Sequence, residues 1–162
     1  MASTVTAATL TVTHTESISL NGSAQGATNS FTIASIKDIS KKIVSIASDD
    51  DATVLVFKST VAISDSALDK ENVKYVRITN LDDTNSVNIS LQLDSGEDNS
   101  GADLSVTHLL EAGRSFLMGS VDEGVHADDD AASIVTALTD LESIIVDPGS
   151  NVGTVEVFVA SV

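Results

Sequence analysis

The chain has 162 residues, 42% of them hydrophobic, and a formal net charge of −16. That is the size of one domain with enough apolar side chains for a core, and its surface repels nucleic acid and anionic lipid, which bind through Lys and Arg on phosphate. Cysteine is absent and aromatics are 3%, which excludes disulfides and thiolate metal sites, leaves a core of Val, Ile, Leu and Ala, and suits a reducing compartment.

In chain order, MASTVTAATL has neither a basic region nor a long apolar run, so it does not read as a secretory signal. No stretch approaches the ~20 apolar residues of a membrane-spanning helix. Leu10 and Val12 alternate with Thr9, Thr11 and Thr13, the period of a half-buried strand. Ser30–Ile36 is a second strand. Residues 1–36 are rich in Thr and Ser and hold one acid, Glu16. They read either as the first strands of the main fold or as an uncharged arm able to add to a neighbour's sheet edge.

Lys42–Ala47 and Thr53–Lys58 read as strands joined by SDDD, a hairpin loop in which Asp side chains bond nearby backbone N–H groups. Val73–Asn80 is a strand with Val76 and Ile78 on one face. The polar knot LDDTNS turns the chain into a second strand, whose Val87, Ile89, Leu91 and Leu93 continue the core, and the two are expected to pair antiparallel. Arg114–Met118 follows EAG, where Gly113 supplies the positive φ of a tight turn. In DDDAASIVTALTDL the spacing of Ile134, Val135, Leu138 and Leu141 is helical, and a short helix near 130–140 competes with another strand. Leu141–Asp147 and Gly153–Ala160, with Val155, Val157 and Val159 on one face, are expected to form a last hairpin across DPGSNV. Roughly nine or ten short strands with regular turn signals predict an all-β, single-domain antiparallel β-sandwich, jelly-roll-like, over residues 1–162.

The chemical motifs are near misses. GEDNSG at 96–101 has phosphate-loop glycine spacing, but Ala102 and Asp103 stand where Lys and Ser/Thr are needed. AGRSF at 112–116 lacks the second Gly of a nucleophile elbow and lies between turn and strand, so Ser115 is not a nucleophile. His14, His108 and His126 are far apart in sequence, and only His126, beside Asp128 in an acidic loop, reads as a weak metal or pH-sensitive position. Asp49–Asp51, Asp94, Glu97, Asp98 and Asp128–Asp130 offer oxygen ligands for calcium but follow no EF-hand register and read as solvated turn tips. Asn21 and Asn88 open Asn-x-Ser sequons, which carry no meaning without secretion. With four Phe, one Tyr and no Trp, a sugar-stacking site has little to build on. No enzyme activity, catalytic residue, metal or cofactor is expected.

All eight Lys and Arg lie between Lys37 and Arg114, while residues 115–162 carry nine acids and no base. The acid reads as solubility at high ionic strength or as a docking face for a basic partner. Lys37, Lys41, Lys42, Lys58, Lys74 and Arg77 share the middle stretch and are the candidate cations of a less acidic contact face.

Taken together, YVRITNLDDTNSVNISLQL (75–93), LLEAGRSFLMG (109–119), LTDLESIIVDPGSNVGTVEVFVAS (138–161) and SLNGSAQGATNSFTIASIKDISKKIVSI (19–46) resemble small virion structural proteins of tailed phages, particularly marine and cyanobacterial ones. The resemblance lies in style and order along most of the chain and implies no catalytic residue. It implies a capsid decoration (cement) protein in the virion, assembled in the host cytoplasm as a homo-oligomer, with a trimer expected. Its partner would be the major capsid protein or other virion subunits, with no nucleic acid or membrane partner. A tail tube or neck component with an acidic wall is the alternative. An extracellular adhesin or sugar-binding module is a further one.

Overall fold

The computed structural model describes residues 5–59, 61, 66–93, 104–121, 124–125, 127 and 141–162. The described residues form strands only: β1 (Ala8–Thr15), β2 (Ser19–Leu20), β3 (Ser23–Ala24), β4 (Thr28–Ile36), β5 (Asp38–Ile46), β6 (Ala52–Lys58), β7 (Leu68–Asp69), β8 (Val73–Asn80), β9 (Val87–Leu93), β10 (Leu104–Leu110), β11 (Ser115–Gly119), β12 (Leu141–Asp147) and β13 (Gly153–Ser161). The helix expected near 130–140 lies outside the described residues, as do His126, Asp94, Glu97, Asp98 and Asp128–Asp130. Among the described residues no helix is long and apolar enough to cross a membrane.

Two sheets face each other. One is four-stranded in the order β11-β8-β13-β5; the other is five-stranded in the order β10-β9-β12-β6-β7. All pairs are antiparallel except β6 with the two-residue β7. The core lies between them and is aliphatic, as the alternation requires. Val76 and Ile78 of β8, Val155, Val157 and Val159 of β13, Val87, Ile89 and Leu93 of β9, and Ile144 and Val146 of β12 are all buried.

The winding follows one rule. Each strand of the four-stranded sheet is joined by a short connection to the strand at the same place in the other sheet: β5 to β6, β12 to β13, β8 to β9 and β10 to β11. These connections are arches over the core at one end of the sandwich, and the pattern is that of an eight-stranded jelly roll with β7 added at one edge. The arches bond side by side. Asp49 N–H donates to the Gly149 carbonyl at 2.7 Å, Leu81 N–H to Thr154 at 2.9 Å, Asn80 N–H to Arg114 at 2.9 Å and Gly113 N–H to Asp82 at 3.1 Å.

This corrects three expected pairings. β5 and β6, β8 and β9, and β12 and β13 are not hairpins, because each pair is split between sheets. Their shared alternation reports a common core, and it is the same whether the next strand lies beside or across. Gly113 does take the positive φ expected of it, +68°. β10 was not foreseen as a strand; most of its side chains are exposed, so its pattern is weak.

Residues 8–36 belong to neither sheet. Among the described residues β1 pairs only with β4, from Ala8↔Ile36 to Thr15↔Thr28. The ribbon continues through Glu16 N–H to Ala27 at 2.8 Å and Gln25 N–H to Ile18 at 2.9 Å, then through the pair β2 and β3. Asn21 and Gly22, at φ +51° and +79°, close it, the two left-handed positions of a type I′ turn. Residues 8–36 thus form a ribbon of their own, the arm.

Candidate assembly surface

The arm is anchored only at its base. Between Ala8 and Ile36 only Val12, Ile33 and Ile36 are buried. With half-buried Leu10 they pack on Tyr75, Phe158 and Ala160, residues on the outer face of the four-stranded sheet, forming a second, smaller apolar cluster. Beyond this base the ribbon is solvent-exposed, with Ile18 at 58% and Leu20 at 61% of full exposure. From Ala8 to Leu20 it extends about 40 Å at roughly 3.4 Å per residue. One face is a ladder of hydroxyls, Thr11 opposite Thr32, Thr13 opposite Ser30 and Thr15 opposite Thr28. Two of these pairs are hydrogen-bonded, Thr13 with Ser30 at 2.9 Å and Thr28 with Thr15 at 3.3 Å.

The outer face of the four-stranded sheet, beside the arm's base, is organised in cross-strand rows. One row runs Leu117, Arg77, Phe158, Lys41; the next runs Ser115, Thr79, Glu156, Ile43. Glu156 accepts from both Lys41, at 2.9 Å, and Arg77, and is itself only 15% exposed. Hydrogen bonding from Lys41, then from Arg77, holds its carboxyl below the usual range despite partial burial. The Arg77 guanidinium also lies 5.5 Å from the centroid of the Phe158 ring, a cation–π contact, and Phe158 meets Tyr75 edge-on at 6.1 Å. Burial raises the Tyr75 hydroxyl above its usual value, with Arg77 acting in the opposite direction.

Of the six candidate cations, the fold brings Lys41 and Arg77 together on Glu156. Lys42, the next residue on β5, points to the opposite face of the strand from Lys41. Lys37 sits at the joint between β4 and β5, where its N–H donates to the Ser161 carbonyl at 2.9 Å. Lys74 lies on β8, and Lys58 ends β6 in the other sheet. The group is therefore spread over both sheets. Sequence reading overlooked Glu156, whose signal was an acid at an outward position inside the apolar run Val155–Val159. It also overlooked Asn80, a fully buried polar residue. Its Nδ2 donates to the carbonyls of Asn85 at 2.8 Å and Leu110 at 3.2 Å, and its Oδ1 accepts from Asp82 N–H at 3.1 Å. It ties the β8–β9 arch to the end of β10.

The remaining polar candidates are dispersed. His14 is an exposed arm residue, and His108 on β10 lies 5.9 Å from the Phe116 ring. Asp49–Asp51 occupy an arch tip. Among the described residues no three His, Asp or Glu converge to hold a metal ion. Ser115 bonds Thr79 at 2.8 Å across the strand pair.

No family model matches this chain, and no curated protein matches it. A solved structure of disulfide-linked pili, the Bacillus endospore appendages, is similar at 12% identity over 76% of this chain and 88% of that one, with a TM-score of 0.34. A likeness at that level carries no argument about function.

Proposed function

We propose that this chain is a non-enzymatic structural subunit that acts by binding copies of itself and neighbouring proteins. The observation that carries this reading is the exposed arm. A two-stranded ribbon in water is marginal by itself, and this one keeps most of its length off the body that anchors it. Edges and exposed apolar tips of this kind are made to be covered.

Within that role we place it on the outside of a virion shell, as a capsid decoration protein. The resemblance to small phage virion proteins supports this, as does the jelly-roll winding, which suits side-by-side packing in a symmetric lattice. A net charge of −16 suits the outer surface better than contact with packaged DNA. Many copies on one shell let a modest single contact suffice. The test is co-sedimentation of the purified chain with empty shells of its virus, followed by electron microscopy. Saturable binding at lattice positions is expected. A chain that never sediments with shells, or that stacks into tubes, rejects decoration.

A further inference from the structure

The receiving surface for the arm is legible as well. We propose that the hairpin Ala8–Ile36 of one copy adds to the free edge of β5 in a second copy, extending the four-stranded sheet by the arm. This rests on the reading of the chain as an assembling subunit and names the contact it uses.

β5 ends its sheet: it bonds β13 along one side, from Asp38↔Ser161 to Ile46↔Gly153, and among the described residues nothing pairs with its other side. That open edge is nine residues long, against eight for β1 and nine for β4, each of which has one unpaired side. The lengths match, and Thr-rich strands pair well laterally.

The arm cannot reach the edge in its own chain. Lys37 alone separates β4 from β5, whereas an antiparallel fold-back needs about two loop residues at least. Ser35, at φ +63°, breaks the line of the strand at this joint, so the arm leaves at its own angle and does not continue the sheet.

Charge selects this edge over the others. Copies of a −16 chain repel, and the arm is the segment with a single acid. β5 and its joint carry Lys37 and Lys42 against Asp38, besides Lys41, which is held by Glu156. In the sequence β10 follows Asp94, Glu97, Asp98 and Asp103, and β11 has Arg114 directly before it but Glu111, Asp122 and Glu123 around it. β7 is two residues long. Antiparallel pairing of two β5 edges about their midpoint sets Lys42 against Lys42, a like-charge pair that is destabilising. A neutral arm meets no such penalty.

The chain has no cysteine, so single-cysteine variants report the contact directly. Thr13→Cys and Lys42→Cys, both at exposed positions, are mixed and treated with a short bismaleimide, and sedimentation velocity gives the state of association. The mixture is expected to give several-fold more covalent dimer than either variant alone. Assembly with cross-links mainly between two Thr13→Cys chains, or with none between the two variants, overturns the arm-to-β5 contact and leaves the assembly reading standing. Monomers at all concentrations with no cross-link overturn both.

Discussion

The backbone N–H of Asp49 donates to the carbonyl of Gly149 at 2.7 Å, joining the tips of two arches that are far apart in the sequence. Both residues hold positive φ, +57° and +64°. An Asp tolerates that region because its short side chain can bond locally, and a Gly because it has no Cβ. Gly149 has open space around it, so its requirement is conformational and not steric. Gly149→Ala is expected to cost about 1–2 kcal/mol, read as a lower urea midpoint with an unchanged slope.

Asn80 is the buried polar tie between arches. Asn80→Ala leaves the Asn85 and Leu110 carbonyls and the Asp82 N–H without their partner. The expected loss is about 1–3 kcal/mol. Equilibrium denaturation measures it, and a change within error of zero would mean that water replaces these bonds at no cost.

Core and arm should separate in stability. Ile144 is fully buried between the two sheets, and Ile33 is buried under the arm's base. Ile144→Ala is expected to lower global stability by about 2–5 kcal/mol. Ile33→Ala should instead raise hydrogen exchange along β1 and β4 with a small effect on the global midpoint, since the arm opens as its own unit. Equal effects of the two on the global transition would contradict the division into body and arm.

Deleting residues 1–36 uncovers Tyr75 and Phe158 but leaves the main core intact. The truncated chain is expected to keep its β circular dichroism and a cooperative melt, and to lose self-association in sedimentation. Loss of the cooperative melt would show that the body needs the arm to fold.

Two carboxyls tie acid stability to geometry. Glu156 is held below the usual glutamate value of 4.5 by Lys41 first and by Arg77. Asp82 is held below 3.8 by the backbone N–H groups of Asn85 and Thr84. A carboxyl with a depressed folded pKa binds fewer protons folded than unfolded. Its contribution is present above the unfolded value and fades as pH falls through the folded one. The stability difference between the parent and Glu156→Gln should therefore be constant near neutrality and shrink below pH ~4.5. A difference that grows as pH falls would reverse the sign argued here.

The alternation of Val87, Ile89 and Leu93, of Val76 and Ile78, and of Val155, Val157 and Val159 by itself marks these strands and their core faces. Side-chain period is a local property that burial imposes residue by residue. The aliphatic, all-β class followed, as did the turn at Gly113. The charge asymmetry was legible too, because it needs only counting. Partnership was not. LDDTNS, SDDD and DPGSNV each announce a turn, yet each carries the chain across the core to the other sheet. Whether a turn returns beside its strand or over the top depends on which distant strand offers the free ladder, and here β13 and β12 take those places. The same holds for Glu156, which gathers Lys41 and Arg77 only because β5 and β8 flank β13. Thr and Ser marked residues 8–36 as strand-forming and uncharged. That they stand apart as an arm was decided by the ladder from Ala8↔Ile36 to Thr15↔Thr28, a contact between distant residues that no local pattern encodes.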